Sequence, residues 1–450
     1  MKNSFPLYIH IPFCRSKCTY CDFFSIPSSC SKAVPDSYVS ALKTELSYRC
    51  SLYKPYSWKT VYIGGGTPSL LVPEQLRELF DFVRSVVPGG IDDNAEITIE
   101  ANPADINRDF LDCIADIGVN RLSVGIQTCS ERVLKFIGRR ADAETVASAL
   151  ECIGQFWCNR YECVSFGSAR RESPRRFSAD LIAGLPFLSD EDFLEGVETV
   201  IRSGADHVSL YSLMVEEGTP LWEQVRSGDA PCTDEDADRQ WFLGKERLEK
   251  NGIMQYEVSN FARPGLESRH HTAYWHMEDF IGIGAGASGT VGCERWTGVC
   301  SVPEYTAAWA AFQTTGLSNK SNCPATRGTY SAAGGADMPD CGVSSRIPSF
   351  RALSSRGAAP HIPQEAESLN EATREYEFLM MGFRLRSGVS ASEYRKRFDK
   401  ELAERIGAEN GLFAEWEKQG RAVRFLKDGD TFFALNAEGL MLLNRFLTEL

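Results

Sequence analysis

Three cysteines near the beginning of the sequence have the spacing of a metal-cluster loop. Cys14, Cys18 and Cys21 lie within eight residues, directly after an apolar run. A loop this short can wrap three corners of a cubane cluster, but it cannot complete a tetrahedral zinc site unaided. The spacing therefore predicts a 4Fe-4S cluster with one open iron. Two alternatives stay open: incidental thiols, or a zinc site that takes a fourth ligand such as His10 or Cys30.

The elements that must position this loop are short β-rich runs that alternate with amphipathic helical stretches. Helix start signals such as Pro73-Glu74 and Ser189-Asp190 precede several of the helical stretches. Repeated βα units predict a parallel sheet, either open or closed into a barrel. The six predicted strands are Leu7 to Phe13, Thr60 to Ile63, Glu96 to Glu100, Arg121 to Ile126, Phe177 to Leu185 and His207 to Leu213.

Polar or glycine-rich residues follow nearly every one of these strands. In parallel β/α barrels, functional residues lie at the carboxyl ends of the strands and in the loops that follow. The cysteine loop follows the first strand, and we expect the other strand ends to share one barrel mouth with it. The next three strands end in Gly64-Gly65-Gly66-Thr67-Pro68, Glu100-Ala101-Asn102-Pro103 and Gly125-Ile126-Gln127.

The cysteine loop and its flanks resemble a known family. The run Leu7 to Phe13, the three cysteines and Tyr20-Cys21-Asp22-Phe23 resemble the radical S-adenosylmethionine (SAM) family related to oxygen-independent coproporphyrinogen III dehydrogenase. More narrowly, they resemble the haem chaperones of the HemW type. The resemblance covers most of the chain outside two insertions. It implies an α/β fold: a partial (β/α)6 TIM-like radical-SAM barrel with a smaller α+β C-terminal region.

The same resemblance implies a SAM site beside the cluster. An open iron can chelate the amino and carboxylate groups of SAM, and a reduced cluster at about −400 mV or lower can cleave the sulfonium bond. SAM also needs carboxylates and a guanidinium around it, although each such residue could instead form an ordinary surface ion pair. The residues implied are Tyr8, Tyr20, Gly65, Gly66, Thr67, Glu100, Gln127, Arg139 and Asp180.

One departure from the family lies close to these residues. Arg139 is followed by Arg140, where relatives usually show Gly-Arg-x-His, and an insertion separates Arg139 from Asp180. The sequence therefore departs more from the family between Arg139 and Asp180 than at the cysteine loop.

A second motif points to haem. His270-His271-Thr272-Ala273-Tyr274-Trp275 resembles the His-Asn-x-x-Tyr-Trp motif of the haem chaperones and departs from it at His271. Imidazole is a good haem ligand, and indole or phenol rings stack on porphyrins. The resemblance implies that His270, Tyr274 and Trp275 bind haem. The alternative is a packed, hydrogen-bonded histidine.

The residue at position 23 separates two related functions. Coproporphyrinogen dehydrogenases carry a further cysteine two residues after the third one, where this chain has Phe23. We therefore expect a radical-SAM haem chaperone that assists haem transfer to acceptor proteins. The alternatives are oxidative decarboxylation of coproporphyrinogen III, and radical chemistry on another tetrapyrrole or small molecule. Expected partners are haem-accepting proteins, one of which could be membrane-associated, and an electron donor such as flavodoxin or ferredoxin.

A third motif is misleading. Gly284-x-Gly286-x-x-Gly289 formally fits the dinucleotide-binding fingerprint, which requires a helix to begin within the motif. The residues that follow, Thr290 to Cys293, are typical of an extended chain. We therefore expect irregular backbone here and no nucleotide site.

Composition shifts suggest four segments. We expect a radical-SAM barrel core at 1–230, a family-specific extension with the haem-associated motif at 231–313, and a flexible low-complexity linker at 314–367. A small winged-helix-like domain should occupy 368–450, with helices from Glu371 to Leu385 and from Ala391 to Ile406. An inserted surface loop is expected at 157–176.

Bulk properties restrict the class of protein. A formal net charge of −13 disfavours nucleic-acid binding, which calls for a basic face. Neither a signal-peptide apolar core nor a run of 18 apolar residues is present, so we expect a cytoplasmic protein. The 15 cysteines are too sparse and scattered for a disulfide scaffold. The oligomeric state stays open.

Overall fold

The protein is built on a mostly parallel sheet. The structure is a computed structural model that describes residues 3–30, 32–158, 175–316, 362 and 364–450. We label its seven parallel strands β1 to β7 in chain order, and they lie in the spatial order β7-β1-β2-β3-β4-β5-β6. Their bounds are β1 Ser4–Ile11, β2 Ser57–Gly65, β3 Ile91–Ala101, β4 Arg121–Gln127, β5 Arg176–Ala183, β6 His207–Ser212 and β7 Ile281–Ile283.

The predicted α/β fold and all six predicted strands are confirmed. Beyond β6 the sheet continues with the antiparallel strands Asn260–Ala262 and Met254–Gln255, so it ends in two edges and the barrel is partial. The strand that sequence reasoning missed is β7, which pairs with β1. It has only three residues, too few to show a hydrophobic period.

The helices that cover the barrel begin where the start signals predict. Pro73–Ser85 begins with proline and buries one face through Leu76, Leu79 and Val83. Asp190–Arg202 is capped by Ser189, whose hydroxyl accepts from the backbone N–H of Asp192. The helices up to residue 250 are Asp36–Tyr53, Pro73–Ser85, Arg108–Asp116, Glu131–Phe136, Ala143–Ile153, Asp190–Arg202, Pro220–Ser227 and Asp234–Lys250, with short turns at Pro68–Leu70, Pro103–Asp105 and Gly154–Cys158.

The glycine motif after β7 does not begin a helix. Ser288–Val291 and Glu294–Gly298 form an antiparallel hairpin there, and Gln364–Ser368 adds a third strand. The prediction of an extended chain is confirmed. The same region contains the helices Arg269–Trp275 and Val302–Gly316.

The C-terminal region is a smaller α+β unit with its own hydrophobic core. The hairpin Ala422–Lys427 and Asp430–Leu435 turns through Asp428 and Gly429, both with positive φ, as a two-residue Asp-Gly turn requires. The predicted helix from 391 to 406 is interrupted, because Asp399 is left-handed. The helices are Glu371–Gly382, Ala391–Phe398, Leu402–Arg405, Leu412–Lys418, Ala437–Met441 and Leu443–Glu449, and Val389–Ser390 is the third strand.

The two expected insertions fall largely outside the described residues. The loop expected at 157–176 lies mainly within 159–174, which the structure does not describe. Of the linker expected at 314–367, only the two ends are described. These ends are regular, since one belongs to the helix Val302–Gly316 and the other to the strand Gln364–Ser368, so the segment proposed as a linker is shorter at both ends.

Candidate cofactor site

A cavity of about 340 Å³ opens at the carboxyl ends of the barrel strands. Its volume is within the range of small-molecule sites, about 300–1,000 Å³. It brings together all the predicted cluster and SAM residues except Tyr8. Those that line it are Cys14, Cys18, Tyr20, Cys21, Gly65, Gly66, Thr67, Glu100, Gln127, Arg139 and Asp180. Tyr8 lies lower in the barrel, where its hydroxyl hydrogen-bonds His10 Nδ1 at 2.8 Å.

The three cysteines lie half-buried on one loop at the cavity wall. Two of their sulfurs have polar neighbours: Thr67 Oγ1 donates to Cys14 Sγ at 3.4 Å, and Arg139 Nη1 donates to Cys18 Sγ at 3.6 Å. Donors of this kind stabilise thiolates and tune the potential of a cluster that they ligate. The donor set therefore fits a 4Fe-4S cluster held by three cysteines.

The zinc alternative is not favoured by the surroundings of His10. This buried ring hydrogen-bonds the Tyr8 hydroxyl through Nδ1 and the Phe24 carbonyl through Nε2 at 3.1 Å, which leaves no nitrogen for a metal. Across the described residues, no three His, Cys, Asp or Glu side chains converge as a mononuclear site requires. A cubane needs no such convergence, because each cysteine binds a different iron.

The glycines after β2 allow two loops to touch. Gly65 has a φ of +119°, and a Cβ on Gly66 would lie 2.8 Å from the Phe13 carbonyl oxygen and 3.0 Å from Cys14 Sγ. Only glycine permits both the conformation and this close approach. The run Gly64-Gly65-Gly66 thus allows the cysteine loop to pack against the end of β2. This packing places Thr67 Oγ1 within hydrogen-bonding distance of Cys14 Sγ.

Two carboxyl groups face the cavity from strands β3 and β5. Glu100 accepts from the Tyr62 hydroxyl at 2.7 Å and from the Gly65 N–H at 3.0 Å. Burial raises the pKa of Glu100 to about 7 and the pKa of Asp180 to about 6, although hydrogen bonds oppose both shifts. A cationic ligand would favour the ionised forms, so the pair suits an ammonium or sulfonium group.

Arg139 and Gln127 bring a guanidinium and an amide to the same cavity. The guanidinium of Arg139 donates to the Gly125 carbonyl, while its buried Nε has no hydrogen-bond partner within the described part of the chain. Gln127 follows an irregularity in β4 and has a φ of +68°, which a residue with a side chain rarely adopts. Such strain clusters at ligand sites. Both observations indicate a polar ligand in this cavity.

The expected haem motif lies elsewhere. Its helix, Arg269–Trp275, packs against β2, where His270 contacts Thr60 and Tyr62. His270 is 1% exposed; its Nδ1 hydrogen-bonds Thr60 Oγ1 at 2.7 Å and its Nε2 the Tyr274 hydroxyl at 2.6 Å. In this arrangement His270 has no nitrogen free for a haem iron. This pairing is the one expected for the packed histidine that the sequence left open, and the haem role of His270, Tyr274 and Trp275 stays a prediction.

Sequence reasoning missed the residues that connect this helix with the cavity. The Tyr62 ring stacks on His270, with centroids 5.0 Å apart, and its hydroxyl reaches Glu100. Glu96 accepts from the backbone N–H groups of Arg269 and His270 at 3.1 and 3.0 Å. Both residues lie on predicted strands, but no motif marks either of them. The partial polarity of those strands was the available signal.

The remaining motif residue, Trp275, is the last residue of the same helix. Its indole Nε1 is buried and has no hydrogen-bond partner among the described residues, and the Arg384 guanidinium lies 5.4 Å from the ring centroid. Neither Tyr274 nor Trp275 lines the cavity that contains the cysteines.

Comparisons with known proteins agree with this fold. Residues 8–161 match the radical SAM superfamily profile, and residues 369–442 match the HemN C-terminal domain profile. The heme chaperone HemW of Mycobacterium tuberculosis is 37% identical over 298 residues, which cover 66% of this chain and 72% of that protein. HemW of Bacillus subtilis is 35% identical over 66% of this chain and 74% of its own length. The chain belongs to the HemW family.

Membership in the HemW family implies a 4Fe-4S cluster and SAM, as in the radical SAM superfamily generally. A solved structure, the Escherichia coli coproporphyrinogen III oxidase HemN, aligns with 99% of this chain and 90% of its own at a TM-score of 0.73 and 19% identity. That likeness shows a shared fold. Within the described residues of this HemW-family chain, every helix is too short or too polar to cross a membrane.

Proposed function

We propose that this HemW-family chain is a radical-SAM haem chaperone, which binds haem and passes it to acceptor proteins. The observation that carries the proposal is its identity of 35–37% with proteins named heme chaperone HemW. Phe23 supports it, because the related dehydrogenases have a further cysteine at that position. Haem-accepting proteins and a small electron-transfer protein would be its partners.

Different residues of the cavity would bind the cluster and SAM. Cys14, Cys18 and Cys21 would ligate three irons. Glu100 and Asp180 would bind the cationic groups of SAM, whereas Gln127 and Arg139 would bind its polar and anionic groups. A reduced cluster supplies an electron that can cleave the sulfonium bond of bound SAM. The proposed role of the protein groups is to orient SAM and neutralise its charges.

The second candidate is oxidative decarboxylation of coproporphyrinogen III. The fold shared with HemN favours it, and so does the cavity, which has room for a ligand at the carboxyl ends of the strands. Phe23 argues against it.

An anaerobic assay separates the two candidates. The reconstituted protein is given reductant and SAM, together with either haem or coproporphyrinogen III. We expect a stoichiometric absorbance change with haem and no protoporphyrinogen. Turnover of coproporphyrinogen III would overturn the chaperone proposal, and so would a failure to bind haem.

A further inference from the structure

Three exposed apolar side chains surround the mouth of the cofactor cavity. Phe23 is 73% exposed, Met214 71% and Tyr211 41%, and all three line the cavity. They are a third of the nine large apolar side chains that are exposed in the described part of the chain, so they are clustered rather than scattered. Clustered exposed apolar residues mark binding surfaces.

These side chains come from opposite ends of the strand series. Phe23 follows the third cysteine on the loop after β1, while Tyr211 and Met214 lie at and just after the end of β6. Chain segments far apart in sequence thus present apolar groups to one opening. We call Phe23, Tyr211 and Met214 the mouth cluster.

The cavity changes character from its interior to its mouth. Glu100, Asp180 and Arg139 make the inner part polar, whereas the outer part combines the apolar mouth cluster with the exposed Arg15, Ser16 and Lys17. An ammonium group stands beside the mouth cluster, because exposed Lys17 also lines the cavity and its Nζ lies 3.4 Å from the Phe23 carbonyl oxygen. The outer part therefore suits a flat apolar ligand that carries carboxylates at its edge.

We propose that haem docks on the mouth cluster, with its macrocycle against Phe23 and Met214 and a propionate directed to Lys17. The proposal rests on the proposed function and names its site. Tetrapyrrole faces stack on aromatic rings, and a thioether is a known ligand of haem iron.

The test is an anaerobic haem titration of the holoprotein, followed by absorbance. We compare wild type with Phe23→Ser, Met214→Ser and the double variant. Each single change removes apolar contact and should weaken haem binding about tenfold, and the double variant should weaken it further. Phe23→Leu, which keeps an apolar side chain, should restore most of the affinity.

Leu426→Ser is the matched control. Leu426 is 76% exposed, as apolar as the mouth residues, and lies on the hairpin of the C-terminal unit. Its replacement should leave haem affinity unchanged. An equal loss in this control would show non-specific adsorption of haem to exposed apolar groups and would overturn the proposal.

Haem binding by wild type and by the double variant distinguishes a failure of the proposed function from a failure of the proposed docking site. If wild type does not bind haem, the proposed function fails. If wild type binds haem and the double variant binds it equally well, only the docking site fails. Because Phe23 neighbours the cysteine loop, the cluster absorbance is recorded for every variant. If Phe23→Ser loses the cluster, the proposal is tested by Met214→Ser alone. Haem affinity equal to wild type in Met214→Ser would then overturn the proposal.

The proposed contact between Lys17 and a haem propionate has its own test. Lys17→Gln should weaken haem binding and reduce its dependence on ionic strength, whereas Lys17→Arg should keep both. If Lys17→Gln has the affinity and salt dependence of wild type, the assignment of a propionate to Lys17 is wrong.

Discussion

Two groups of polar residues in the barrel differ in how their hydrogen-bonding atoms are paired. At the carboxyl ends of the strands, Glu100 and Asp180 face a cavity, and Nε of Arg139 has no hydrogen-bond partner among the residues that the structure describes. By contrast, His270 has both ring nitrogens hydrogen-bonded, and Glu96 accepts from two backbone N–H groups. Unmet hydrogen-bonding capacity next to a cavity indicates a ligand site, whereas fully paired groups indicate a structural one.

The largest expected effect is the loss of cluster iron when the three cluster cysteines, rather than another cysteine, are replaced. Replacing Cys14, Cys18 and Cys21 together by alanine should reduce cluster iron to background, because these three thiolates are its proposed ligands. Cys232→Ala, a half-buried cysteine on another loop, is the control and should keep the full complement. The measurement is iron and sulfide content with the visible spectrum. Four irons in the triple variant would refute the cluster assignment.

A second prediction concerns the fully hydrogen-bonded His270. His270→Ala removes two buried hydrogen bonds and a ring stacked on Tyr62, so unfolding should become easier by about 2–4 kcal/mol. Thermal unfolding measures the change, and exposed His276→Ala is the control. The haem spectrum of the folded variant should match wild type. Unchanged stability together with a lost haem spectrum would assign His270 to haem ligation.

A third prediction uses the raised pKa of Glu100. Since SAM would bind the ionised carboxyl and the free protein takes up a proton below pH about 7, SAM affinity should fall as the pH decreases through 7. The loss approaches about tenfold per pH unit for one proton. Asp180, with a pKa near 6, should add a second decrease at lower pH.

Equilibrium dialysis with SAM between pH 5.5 and 8 measures this dependence. Glu100→Gln cannot titrate, so it should bind SAM more weakly but lose the step near pH 7. A step that persists unchanged in Glu100→Gln would assign the titration to another group.

The smallest predicted effect concerns the left-handed backbone at Gln127. Gln127→Ala and Gln127→Gly both remove the amide, but only glycine relieves the positive φ. The glycine variant should be about 1 kcal/mol more stable than the alanine variant. Both should bind SAM more weakly than wild type. Equal stabilities would mean that the backbone at this position is not strained in solution.

Local patterns predicted much of the fold. The alternation of short apolar runs with amphipathic stretches located six strands, and proline or serine located the starts of helices. Residues near the carboxyl ends of strands were expected to meet, and the cavity brings Cys14, Thr67 and Gln127 together. The strand β7 was missed because three residues show no period, and the break at Asp399 was missed because an aspartate can equally occupy a helix.

The sequence by itself determined what depends on near neighbours: the spacing of Cys14, Cys18 and Cys21, the glycines that end β2, and the phenylalanine at position 23. Only the tertiary structure decided what depends on distant partners. Thr60, on another strand, occupies Nδ1 of His270, and Met214 joins Phe23 at one opening. A side chain's chemistry depends on which of its polar atoms are already paired, and pairing across the barrel follows from strand register, which no local pattern records.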